Sequence, residues 1–89
     1  MSVTNATVDN SIQLEVTKET YDNQMARLYK ILLDDRSHEK TIKDKLFELS
    51  SERRQLKRCG LGDLLVKQQS IQEKVSSFIT SLDYQPEEV

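Results

Sequence analysis

Residues 21–56 read YDNQMARLYKILLDDRSHEKTIKDKLFELSSERRQL, and this stretch decides the fold. Tyr21, Met25, Leu28, Leu32, Ile42, Leu46, Leu49 and Leu56 recur along it at alternating steps of four and three, which stacks them into one stripe on an α-helix. Three places on that stripe are polar: Asp35, Glu39 and Arg53. No glycine or proline interrupts the chain before Gly60, so the spacing predicts one long amphipathic helix over residues 18–59, about 60 Å at 1.5 Å rise per residue. Thr17 and Thr20 are suited to cap its start.

The weak point is DDRSH at 34–38. Acidic side chains oppose the dipole at the end of a helix and favour it at the start of another, and Asp35 or Ser37 can cap a helix opening at His38. A break near residues 35–38 gives the alternative architecture, a three-helix bundle.

Cys59-Gly60-Leu61-Gly62 reads as the turn that ends the long helix. Gly60 is expected in the left-handed position after the last turn, Lys57 and Arg58 sit beside the last carbonyls, and Asp63 is expected to cap the next helix. That second helix, 63–82, repeats the four-and-three spacing through Leu64, Gln68, Ile71, Val75, Phe78 and Leu82. The expected fold is therefore all-α, a helical hairpin of residues 18–83 closed on the 60–62 turn. In antiparallel register Leu64 faces Leu56, Ile71 faces Leu49 or Ser50, Val75 faces Leu46 and Phe78 faces Ile42 or Lys43. Residues 1–17 are expected to be a flexible arm, with the alternation of Ile12, Leu14 and Val16 offering a short strand at 11–17, and residues 84–89 an acidic tail.

That hairpin leaves residues 21–33 past the end of the second helix. Their apolar side chains are too many for a lone surface helix, so a second copy, a client or a folded-back first helix has to cover them. Tyr21, Met25, Leu28, Tyr29 and Leu32 are the expected partner-binding anchors, in helix-in-groove or coiled-coil contact.

Composition narrows the function classes. One cysteine excludes an intrachain disulfide, and with 36% hydrophobic residues, no tryptophan and 31% charged residues the burial has to be a narrow line of contacts. No run is long and apolar enough to span a bilayer and no basic-then-apolar block opens the chain, so the expected setting is soluble, reducing and cytoplasmic, without membrane contact. Residues 36–58 hold eight basic and four acidic residues, against three and six in 1–35 and two and five in 59–89, so a basic middle is flanked by acidic ends.

No constellation for catalysis emerges. His38 is the one histidine and Cys59 the one cysteine, too few for a metal site, and a thiol at a helix C-terminus is not activated. Gly60-Leu61-Gly62 has no preceding strand and no following Lys-Ser or Lys-Thr, so it is a turn and not a phosphate loop. The expectation is a non-enzyme without cofactor, metal or small-molecule substrate. Arg53, Arg54, Lys57 and Arg58 carry the alternative reading, contact with nucleic acid, against which stand an acidic overall balance and the absence of interleaved aromatic residues.

Leu28-Tyr29-Lys30 followed by Ile31-Leu32-Leu33 resembles the Leu-Tyr-Arg opening of small mitochondrial three-helix assembly factors, with lysine where that family has arginine. The long helix, glycine turn and Gln-rich second helix resemble in shape the hairpin co-chaperones of bacterial secretion systems. Both likenesses imply a protein that holds another protein, and neither transfers site residues. The functional expectation is an adaptor, assembly factor or chaperone-like interaction module, with a protein partner or further copies of itself.

Overall fold

The seam of residues 21–56 does not run through as one helix. In the structure, a computed structural model that describes the backbone of residues 2–82 and the side chains of residues 11–82, helix α1 (Ser2–Asp34) ends and the chain re-enters helix α2 (Glu39–Gln55) after a 3-10 turn at Arg36–His38. A second 3-10 turn, Leu56–Arg58, leads to helix α3 (Leu61–Ser81). The fold is all-α, and among the described residues there is no strand.

The break has a local cause. The Asp35 amide makes the last α1 bond, to the Ile31 carbonyl at 2.8 Å, but Asp35 itself is extended at φ −142°, ψ 104°. Its carboxylate accepts from the Ser37 amide at 3.0 Å and the Ser37 hydroxyl at 2.6 Å, so the side chain offers the backbone a partner that helical geometry would forgo. Adjacent carboxylates at the negative end of a helix add to that preference. A continuous helix over 18–59 is therefore corrected: a capping aspartate ended it where neither glycine nor proline was present.

Three further expectations are revised. Residues 11–17 are helical, not a strand, and α1 runs through the region expected to be a flexible arm. Thr17 caps nothing; it is fully buried in mid-helix, while the Thr20 hydroxyl donates back to the Val16 carbonyl at 3.0 Å. Gly60 stands at φ −79°, ψ 174°, an extended conformation open to any residue, and it, not Asp63, is the residue before α3; Asp63 lies in the first turn. The reversal is made by two extended residues, Cys59 and Gly60, rather than by a left-handed one. The expected acidic tail at 84–89 lies outside the described residues.

Side-chain contacts fix the helix directions. Tyr21 meets Glu52, Asp22 meets Arg53 and Met25 meets Ser50, so α1 and α2 are antiparallel. Thr17 meets the Leu64 carbonyl and Arg27 meets Ser76, so α1 and α3 are parallel. Lys74 approaches Glu52 at 3.5 Å and the Lys45 ammonium lies 5.1 Å from the Phe78 ring centre, which places α2 and α3 antiparallel, with these contacts two to five residues away from the register expected from the sequence.

All three helices feed one core. Tyr21, Met25, Leu28 and Ile31 come from α1, Ile42, Leu46 and Leu49 from α2, and Leu64, Ile71 and Val75 from α3; Leu56 and Leu82 close its two ends. The ridge at residues 21–33 is thus covered by the chain's own helices, the folded-back solution among the three that the sequence leaves open. The molecule measures 54 × 25 × 17 Å. Its long dimension follows α1, whose 33 residues outrun the 17 of α2, so the first turns of α1 extend past the α2–α3 connection.

Candidate interaction faces

Of the five residues expected to anchor a partner, three are interior. Tyr21 is 2% exposed, Leu28 fully buried and Met25 buried, with the Met25 sulfur accepting from the Ser50 hydroxyl at 3.6 Å. The Tyr21 hydroxyl donates to Glu52 at 3.0 Å, and Lys74 holds the other carboxylate oxygen, so one polar chain ties α1, α2 and α3. Burial, and then the adjoining Glu52 charge, push the Tyr21 ionisation well above its ordinary range. Leu32 is half-buried against the core, and Tyr29 alone of the five is openly exposed, at 53%.

The large apolar residues that remain exposed are grouped. Asp22 marks the edge of α1 that meets α2, through its two contacts to Arg53 at 2.7 and 3.3 Å. Tyr29 and Leu33 lie about two and three turns further along that same edge. On α2, Phe47 stands one turn from Ser50 and one from Lys43, on the side that turns out of the same α1/α2 face. Leu33 is 75% and Phe47 73% exposed, the two most open large hydrophobic side chains among the described residues. The antiparallel register puts Phe47 close to the level of Tyr29, with Leu33 a turn beyond.

A second group flanks the other side of α1. Thr17 reaches the Leu64 carbonyl at 3.4 Å, so its neighbour Val16 and the neighbouring Leu65 sit at one level of the α1/α3 seam. Ile12 on α1 and Leu61 and Val66 on α3 are exposed as well, and Ile12 and Val16 line a shallow hollow with Asp22 and Arg53.

The basic residues divide differently from the sequence expectation of a single cluster. Arg53 is held by Asp22 on α2's inner edge, whereas Arg54, Lys57 and Arg58 are exposed and form no ion pair among the described residues. Arg58 shares a shallow hollow with Lys67, Glu52 and Cys59. Around the α1/α2 face, Lys30, Lys40, Lys43 and Arg54 are exposed. Glu39 is occupied by both Lys43 at 2.8 Å and Arg36 at 3.1 Å, and these cations, Lys43 foremost, hold its carboxyl below the usual range.

No group of acidic, histidine and cysteine side chains among the described residues is arranged to hold a metal ion, and none of the described helices is long and apolar enough to cross a membrane. Leu33 falls within the apolar run of residues 21–33 but is not among its expected anchors, and Phe47 escaped the sequence reading because it falls off the four-and-three stripe; the available signal was an aromatic side chain at an off-stripe position within an otherwise polar helix. No protein-family model, curated protein or solved structure matches this chain, so what these faces do has to be read from their own chemistry.

Proposed function

We propose that the chain is a non-enzymatic helical protein–protein interaction module that receives its partner at the α1/α2 face. One observation carries the reading: Tyr29, Leu33 and Phe47 stay open to solvent on a single face, while the neighbouring Leu28, Ile31 and Leu46 are sealed in the core. Burying Leu33 and Phe47 against a partner would contribute about 1.5–3 kcal/mol each, and a tyrosine between them is the residue type that anchors such contacts. The working form is taken to be a closed three-helix bundle rather than an open hairpin, because the apolar ridge of α1 finds its cover within the chain.

A photoreactive amino acid replacing Phe47 in the host cell tests this. A discrete protein adduct from position 47, absent when the same group replaces exposed Glu73 on α3, is the expected result. Equal labelling at both positions, or none at 47, would defeat the reading.

Exposed and unpaired, Arg54, Lys57 and Arg58 favour a second reading, an accessory protein on nucleic acid. Titration with a short DNA duplex at two salt concentrations separates the two, since phosphate contacts lose affinity steeply as salt rises.

A further inference from the structure

Exposed basic side chains border the apolar residues of the α1/α2 face. Lys30 from α1 and Lys40, Lys43 and Arg54 from α2 are all exposed and turn out of the face on which Leu33 and Phe47 stand. Among the acidic groups nearby, Asp22 is committed to Arg53, Glu39 is shared by Arg36 and Lys43, Asp34 and Asp35 follow Leu33 with the Asp35 carboxylate accepting from Ser37, and Asp44 lines the same shallow hollow as Glu39, Lys40 and Lys43. Lys30, Lys40 and Arg54 form no ion pair among the described residues, so the charge left unpaired along this border is mostly basic, although the whole chain carries a net charge of −2.

Shape adds to charge. Leu33 and Phe47 stand on two antiparallel helices, and Tyr29 lies on the edge of α1 that meets α2, so the three flank the seam between the helices. A helix laid in it meets the apolar trio with side chains one turn apart and the basic rim with its flanks.

Resting on the function proposed above, we infer that the occupant is an amphipathic helix of a partner protein whose apolar stripe is bordered by aspartate and glutamate. A second copy of this chain does not fit the face, because a two-fold contact would bring the basic rims of both copies together. A phosphate backbone would leave Leu33 and Phe47 without a counterpart.

The test uses the full chain, labelled with nitrogen-15, and three peptides of about 15 residues, ~22 Å as helices. One carries leucines at helical spacing bordered by glutamates, the second has lysines in place of the glutamates, and the third keeps the acidic composition but is broken by central prolines. Expected is binding of the first alone, with resonance shifts at Tyr29, Leu33, Lys43 and Phe47, and an affinity about tenfold above that of the lysine version. That advantage should shrink in about 0.5 M salt, where charges are screened beyond a few ångströms. Phe47→Ala, checked for unchanged helicity, should weaken binding, and Phe47→Asp should abolish it.

Equal binding of the first two peptides, or of the proline-broken one, overturns the inference. So does binding of phosphatidylglycerol vesicles or a DNA duplex at this face with no peptide bound. If no peptide binds while the photoreactive group at 47 still captures a discrete partner, the partner chemistry is wrong and the docking face stands. Failure of both removes the docking face as well.

Discussion

Tyr21 carries its hydroxyl into the interior and commits its proton to a hydrogen bond with Glu52, which makes its ionisation costly while the chain is folded. A folded-state value above the unfolded one, about 10, means that this stabilisation is complete below pH 10 and is lost as pH rises beyond it. Alkaline unfolding followed by circular dichroism should therefore show a steeper loss for the native chain than for Tyr21→Phe. At neutral pH the same substitution should cost about 0.5–1.5 kcal/mol in urea denaturation, the worth of one hydrogen bond. Leu28, fully buried among all three helices, is the more severe site: Leu28→Ala should cost about 2–5 kcal/mol, and a value near zero would mean that the ridge is not packed as described.

At the level of the element, the two connections make opposite predictions. Asp35 shapes the α1–α2 corner through its bonds to Ser37, and these hold its carboxyl below the ordinary range. Since the folded value lies below the unfolded one, the contribution is present above the ordinary carboxylate pKa, about 3.9, and vanishes as pH falls through the lowered value. Asp35→Ala should lower the melting temperature at neutral pH and leave a flatter acid limb, with faster amide exchange confined first to residues around Ser37. At the α2–α3 connection the glycines are dispensable, because neither has a positive φ and a methyl group at either would meet nothing within 4 Å. Gly62 lies inside α3, so Gly62→Ala should raise stability by about 0.5–1 kcal/mol, measurable as a higher urea midpoint.

The whole molecule is long and thin, with a single line of buried side chains shared by three helices. No pair of these helices has a private core, so unfolding should be one cooperative transition, and Leu28→Asp should melt all three together. Retention of a helical α2–α3 unit in that variant, read from nitrogen-15 spectra, would instead show a self-sufficient hairpin. The polar ties point the same way: Tyr21, Glu52 and Lys74 link the three helices at one level, and Arg27 bridges Gln24 to Ser76 across α1 and α3. The Asp22–Arg53 pair is exposed and should contribute less than about 1 kcal/mol, declining with salt.

Periodicity determined that the chain is helical and which side chains form its apolar stripe, and the glycine-bearing Cys59–Gly62 segment marked where the second turn falls, because each of these depends on residues close together in the chain. Tyr21, Met25, Leu28, Ile42, Leu46, Leu49 and Leu56 are core residues in the structure as their spacing required. The polar break at Asp35 was visible in the sequence, but whether it ended a helix depended on a side-chain cap competing with one backbone hydrogen bond, a difference of the order of 1 kcal/mol that packing could tip either way. Only the tertiary structure decided that α1 folds back to cover its own ridge, which turned the expected anchors Tyr21, Met25 and Leu28 inward. It also brought Tyr29, Leu33 and Phe47 to one face, since residues on two helices become neighbours through helix direction and register, and neither is written in the spacing of either helix by itself.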